Sequence, residues 1–125
     1  MKRDLDLIRD LLLYIEEVTS FNNHIFGSSL DLDTTKSQED IYGHIALLFD
    51  ENFIVGNLEV YMGNEPPHIN IERLTSGGHD YLDSVRDLKL WKATKSSLTE
   101  VGGAATLAVV QAVAVANVKV ILGLS

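Results

Sequence analysis

Leu5, Ile8, Leu11, Leu12, Ile15 and Val18 recur at steps of three and four, with Arg9, Asp10, Glu16 and Glu17 between them. That spacing puts the apolar side chains on one stripe of a helix and the charged ones on its solvated back. Asp4 precedes the stripe, and its carboxylate suits the free N–H groups of a first helical turn, so the helix is predicted to open there and end near Val18. Ser20, Asn22, Asn23, Gly27, Ser28 and Ser29 are turn formers, so residues 20–36 do not read as helix. Within them Leu30, Asp31, Leu32 and Asp33 alternate apolar and acidic, which predicts a short half-buried strand.

Ser37 and Asp40 then stand three apart, close to a capping box, and open a second helix with Ile41, Ile45, Leu48 and Phe49 on its apolar stripe. Asn52 falls where a helix needs a left-handed residue to stop, and residues 53–55 leave as an extended apolar run. Leu58, Val60 and Met62 alternate with polar neighbours, as do Ile69, Ile71 and Arg73, around a tip containing Gly63, Pro66 and Pro67. A hairpin is expected, residues 57–62 pairing antiparallel with 68–73, and both prolines sit where no ladder hydrogen bond is lost. Thr75 can cap a helix bearing Tyr81, Leu82, Val85 and Leu88 on one face, with Trp91 and Leu98 extending the pattern. Gly102 and Gly103 break the chain before a long run of Ala, Val and Leu over residues 104–124. In that run Leu107, Val110, Ala114, Val118 and Ile121 keep helical spacing, while Val109, Val113 and Val120 leave the other surface apolar too. The expected core joins Leu12, Ile45, Leu48, Phe49, Ile71 and Leu82.

Composition narrows the functional classes. A chain of 125 residues with 46% hydrophobic and 22% charged residues has the size and make-up of one globular domain. The absence of cysteine excludes disulfides, thiolate metal sites and a Cys nucleophile. The net charge is −8, and residues 37–88 set only Arg73 and Arg86 against ten carboxylates. That sign is wrong for a protein whose main partner is a phosphate backbone. His24, His44, His68 and His79 show no metal-site spacing and read as surface or partly buried side chains. The glycine pairs match no phosphate loop, and Gly78 is better explained by close backbone packing where the hairpin meets the following helix. No nucleophile elbow or paired-carboxylate site emerges, so neither an enzyme, a cofactor nor a metal is expected. Met1, Lys2 and Arg3 are followed at once by acids, which interrupts any secretory signal and makes the cytoplasm the default. Residues 104–124 as one helix would be about 31 Å long, but Ala gains little from lipid, so packing is favoured over a membrane span.

The order helix, short strand, helix, two-stranded hairpin, helix resembles a winged helix. His44-Ile45-Ala46-Leu47-Leu48-Phe49-Asp50-Glu51-Asn52-Phe53-Ile54 is similar to a recognition helix running into the first wing strand. Ile71-Glu72-Arg73-Leu74-Thr75-Ser76-Gly77-Gly78-His79-Asp80-Tyr81-Leu82 is similar to the second wing strand entering its following helix. Beyond this, Met1-Lys2-Arg3-Asp4-Leu5-Asp6-Leu7-Ile8-Arg9, the helix holding His44 and Ile45, and residues 74–90 resemble the bacterial family known as domain of unknown function 2513. That resemblance covers residues 1–98 and implies a fold and a setting near phage genes, with no activity attached.

Two departures from an ordinary winged helix bear on function. The helix that normally precedes the recognition helix is missing or vestigial, because residues 20–36 hold turn formers instead. The helix in the recognition position, residues 37–52, carries Glu39, Asp40, Asp50 and Glu51 and no Lys or Arg. Groove reading normally wants Arg, Lys, Asn or Gln, with cations nearby for phosphates. The expectation is therefore an α+β winged-helix-like domain over residues 1–88 with a C-terminal helical extension over 89–125. Its function is that of a non-catalytic, phage-linked module binding a protein partner, and a homodimer forming through Val109, Val113 and Val120. The rival reading is a winged-helix DNA-binding regulator, in which Gln38 and Tyr42 would meet bases, Lys36 a phosphate, and His44 would add a weaker polar contact.

Overall fold

The computed structural model describes residues 1–101 and 106–123. Along them run α1 (Leu5–Val18), β1 (Ile25–Phe26), a single 3₁₀ turn (Gly27–Ser29), α2 (Gln38–Asp50), β2 (Ile54–Glu59), β3 (His68–Leu74), α3 (Ser76–Val85), α4 (Leu88–Val101) and α5 (Leu107–Ile121). The class is α+β. The three strands form one antiparallel sheet in the order β1-β3-β2, a winged-helix-like arrangement followed by further helices. The chain divides into two compact units, Met1–His79 and Asp80–Ser125.

In the first unit α1 begins as its sequence demands: the Asp4 carboxylate accepts the Leu7 N–H at 3.1 Å. Leu7, Ile8, Leu11, Leu12 and Ile15 are buried along it. Ile45 and Leu48 of α2, Ile25 of β1, Phe53, Ile54 of β2 and Ile69, Ile71 and Leu74 of β3 join them in the core. Phe49, expected there, is only half-buried. The apolar stripe of α2 runs through Ile41, Ile45 and Leu48, and the fourth place on it, at position 44, is filled by a histidine, leaving Phe49 on the flank. α2 opens with the Ser37 hydroxyl accepting the Asp40 N–H at 3.1 Å and ends before Asn52, whose φ of 58° is the left-handed stop.

Three sequence expectations are corrected by the sheet. The strand before α2 is Ile25–Phe26, not residues 30–33; Ile25 pairs with Ile71 and Phe26 with Asn70. Residues 30–33 are irregular because their chain is tethered to a side chain instead: the Tyr14 hydroxyl accepts the Asp31 N–H at 3.0 Å and donates to the Ser29 carbonyl at 3.3 Å. The hairpin ladder stops at the pair Glu59 and His68, so Val60, Tyr61 and Met62 lie beyond it, and Val60 and Met62 are exposed. Finally, Val55 pairs with Arg73 but Gly56 with Ile71, which leaves Glu72 as the extra residue of a β-bulge. The bulge shifts the side-chain phase, so Leu74 is buried and Arg73 is exposed, although strict alternation put Arg73 with Ile69 and Ile71.

Two glycines make close backbone approaches possible. Gly56 sits at the bulge with φ +149°, against the Asn70 carbonyl. A Cβ on Gly78 would strike the Phe53 carbonyl oxygen, which is the close packing its sequence position suggested. The same corner is tied by Thr75, whose N–H bonds the Phe53 carbonyl at 2.8 Å and whose hydroxyl donates to the Asn52 carbonyl at 2.6 Å. The Thr75 hydroxyl also accepts the Gly78 N–H at 3.0 Å, the expected cap of α3.

In the second unit Tyr81, Leu82 and Val85 are buried, as their spacing required. Leu88 is not; it is 56% exposed, because a new helix starts at that residue and resets the phase, with Asp87 accepting the Leu90 N–H at 2.9 Å. α4 and α5 pack together, burying Trp91 and Thr94 of one and Leu107, Val110 and Ala114 of the other. Asn117 donates to the Thr94 hydroxyl at 3.4 Å within that seam. Val118 is half-buried, and Ile121, expected on the packed face, is 67% exposed, since it forms the last turn of α5. The break at Gly102 and Gly103 lies outside the described residues. No helix of the described residues is long and apolar enough to cross a membrane.

Candidate functional site

The helix in the recognition position, α2, has one face toward the core and one toward solvent, and they divide its polar residues. His44 points inward and is buried. Its Nδ1 lies 2.7 Å from the Asp40 carbonyl, which can only accept, so Nδ1 carries the hydrogen and Nε2 accepts the Asp4 N–H at 2.8 Å. His44 is thus a bracket between α2 and the start of α1, and not the outward polar contact that its place on a recognition helix suggested. Its position was legible, since 41, 44, 45 and 48 form one helical stripe.

Lys36, the cation that precedes α2 in sequence, is committed elsewhere: its Nζ sits 2.9 Å from Asp4 Oδ2. Partial burial pushes the Asp4 carboxyl up, but the Lys36 ammonium and the Leu7 and Asp6 backbone donors outweigh it and hold the group below its ordinary value. Hydrogen bonding to Asp4, then its charge, lifts the Lys36 ammonium above its ordinary value.

Gln38 and Tyr42 do come together. The Gln38 side-chain amide donates to the Tyr42 hydroxyl at 2.7 Å, and both line a groove of about 740 Å³ beside the wing. The sheet contributes the rest through its register. Phe26 lies opposite Asn70 and Asn70 opposite Asn57, so these three form one row across β1, β3 and β2. His68 and Glu59 form the next row. Pro66 and Pro67 of the tip close the groove.

The groove's polar groups are largely turned on one another. Glu59 accepts the Asn57 amide at 3.3 Å through Oε1 and the Tyr61 hydroxyl at 2.6 Å through Oε2. That bond comes first, ahead of slight burial, in raising the Tyr61 hydroxyl above its ordinary value. The Tyr61 ring also stands edge-on to His68, with centroids 4.7 Å apart. Asn70 Oδ1 is buried without a hydrogen-bond partner. Among the described lining residues there is no Lys or Arg, and Glu59 is the one carboxylate.

Sequence reasoning reached Gln38 and Tyr42 but not Phe26, Asn57, Glu59 or Asn70. The polar alternation of β2 and β3 marks the last three as outward-facing; only the register shows that they meet. Elsewhere, His79 Nδ1 lies 3.6 Å from Glu16. No group of three or more His, Asp or Glu among the described residues is placed to hold a metal ion. On α5, Val109 and Val120 are exposed and Val113 is half-buried.

Residues 2–105 match a family described as hypothetical protein (DUF2513). No curated protein and no solved structure matches the chain. The family match spans well over half of the sequence and takes in α1 to α4 with the whole sheet, so the chain belongs to the DUF2513 family.

Proposed function

We propose that this chain is a non-catalytic interaction module, phage-linked in its setting, that holds a protein partner in the groove between α2 and the wing. The observation that carries the reading is electrostatic. Nonspecific affinity for duplex DNA is mostly phosphate neutralisation by Lys and Arg. The helix that would enter a major groove has none, the groove beside it has none among its described residues, and Lys36 is paired with Asp4. Residues 1–79 carry five Lys and Arg against fourteen Asp and Glu, net −9, so the whole unit repels a phosphate backbone. Phe26 at 53% exposure and the two prolines instead offer apolar contact of the kind that protein interfaces bury. No nucleophile, base and orienting group are assembled among the described residues of the groove, which supports a binding role over a catalytic one. The largely apolar outer face of α5 serves a second copy of the chain.

The test is capture from host lysate, untreated and nuclease-treated, with the full chain and with Tyr42→Ala, beside a mobility-shift assay. Protein retained by the wild type and lost with Tyr42→Ala is the expected outcome, with no shift of random duplex at micromolar protein in about 150 mM salt. A duplex shift under those conditions, or capture that disappears on nuclease treatment, would establish the DNA-binding reading in its place.

A further inference from the structure

We infer that the groove beside the wing is a receptor for a guanidinium, namely an arginine side chain presented by an extended segment of the partner protein. The inference rests on the interaction-module reading and names the chemistry of its ligand. It starts from the balance of donors and acceptors. The Asn57 amide is given to Glu59, the Gln38 amide to Tyr42, and the Tyr61 hydroxyl to Glu59. These bonds are made within the site, while Asn70 Oδ1 remains a buried acceptor with no partner. A buried acceptor left unmade is costly, so this oxygen is a place for an incoming N–H group. It holds a carboxylate and, among its described residues, no cation, within a unit of net charge −9.

Of the side chains a partner can present, arginine fits this set most fully. Guanidinium has five N–H donors and no acceptor, so it can serve the Glu59 carboxylate and the unpaired Asn70 oxygen together. It is planar and weakly hydrated, so it can lie against an aromatic ring while donating at its edge. Phe26 supplies such a ring directly across the strand pair from Asn70, and Glu59 lies in the adjacent row. A lysine ammonium is a strongly hydrated point charge without that flat face. An acidic or phosphate-bearing ligand would meet Glu59 and the unpaired oxygen of Asn70 and be repelled. The segment carrying the arginine is taken as extended, because the groove is lined by a sheet row and two prolines.

The experiment is a titration of the ¹⁵N-labelled full chain with a capped Gly-Gly-Arg-Gly-Gly peptide. The same peptide carrying citrulline, which keeps the shape and loses the charge, is the comparison. Saturable shifts at Phe26, Tyr42, Asn57 and Asn70 are expected at about millimolar peptide, as befits a single anchor. Citrulline should weaken binding about tenfold, and so should Glu59→Gln, because a charge-assisted hydrogen bond is lost. Glu59 is exposed, so its variant tests the contact without threatening the fold; Asn70→Val, checked for an unchanged amide spectrum elsewhere, should weaken binding as well. Equal affinity for citrulline, shifts outside the groove, or no saturation would overturn the guanidinium assignment. Loss of lysate capture by Tyr42→Ala would in that case still stand for the module itself, so the two failures are distinguishable.

Discussion

Gly77 and Gly78 are neighbours in the first turn of α3, yet their tolerances are opposite. A Cβ on Gly77 meets only the Thr75 hydroxyl, at 3.8 Å, whereas one on Gly78 runs into the backbone of Phe53. Gly77→Ala should be neutral or stabilise by up to about 1 kcal/mol, since alanine is the better helix former. Gly78→Ala should cost on the order of 2 kcal/mol or more, because the strand and helix must part to admit a methyl group. Urea denaturation of the two variants decides this, and equal midpoints would show that the corner is looser than its geometry. His44 gives a second test at this scale. His44→Ala removes a buried ring and strands the Asp4 N–H, so a loss of about 2–4 kcal/mol is expected by the same measurement. An outward base-reading histidine would cost nothing.

At the scale of elements, α1 is capped by a residue that is itself held from outside the helix. Asp4 accepts from Leu7, pairs with Lys36 at the approach to α2, and gives its N–H to His44 within α2. One residue thus couples the starts of two helices. Asp4→Ala should cost about 1 kcal/mol through the lost cap. The pH dependence follows from the two shifts. The Asp4 carboxyl is lowered on folding, so its contribution is present above its ordinary 3.8 and is lost as pH falls through the folded value. The Lys36 ammonium is raised, so its contribution is present below its ordinary 10.5 and is lost as pH rises past the folded value. Denaturation midpoints of the wild type and Lys36→Met should differ between those limits and converge beyond either one. The pair is half-exposed, so the gap is small and should narrow further in high salt. A gap that persists at pH 2 would mean that Lys36 acts through packing.

For the whole molecule the governing quantities are charge and exposed apolar surface. Residues 1–79 carry nearly all the negative charge, while residues 80–125 are close to neutral, with five cations against four carboxylates. On α5 and its C-cap the exposed Val109, Val120, Ile121 and Leu122 form an apolar surface interrupted, among the described residues, by Lys119 and polar side chains. Monomers seldom leave such a surface in water, and a two-fold dimer is the commonest way to cover it. Light scattering of the full chain should report twice its 13.8 kDa at high micromolar concentration, and Val109→Glu with Val120→Glu should return it to monomer. A monomeric wild type would overturn the dimer.

The amino-acid sequence by itself determined where α1, α2 and α3 begin and where α2 stops, because those choices are local, but not the break between α3 and α4. Asp4, Ser37 and Thr75 satisfy free N–H groups within a turn of their own position, and Asn52 tolerates the left-handed stop. It also determined which faces are buried, since Ile8, Leu12, Ile45 and Leu48 needed only helical period to be found. Tertiary structure decided what depends on partners distant in sequence. The two residues of β1 are a strand only because β3 lies beside them, and the acidic alternation of residues 30–33 found no such neighbour. The bulge at Glu72 moved Arg73 out and Leu74 in, a slip of phase that no count along the strand can detect. The candidate groove is of the same kind. Gln38 and Tyr42 could be picked out from one helix, but Phe26, Asn57 and Asn70 are separated by long stretches of chain and become one row only through strand register. The Asn70 oxygen in that row is buried without a partner only once the chain has folded around it.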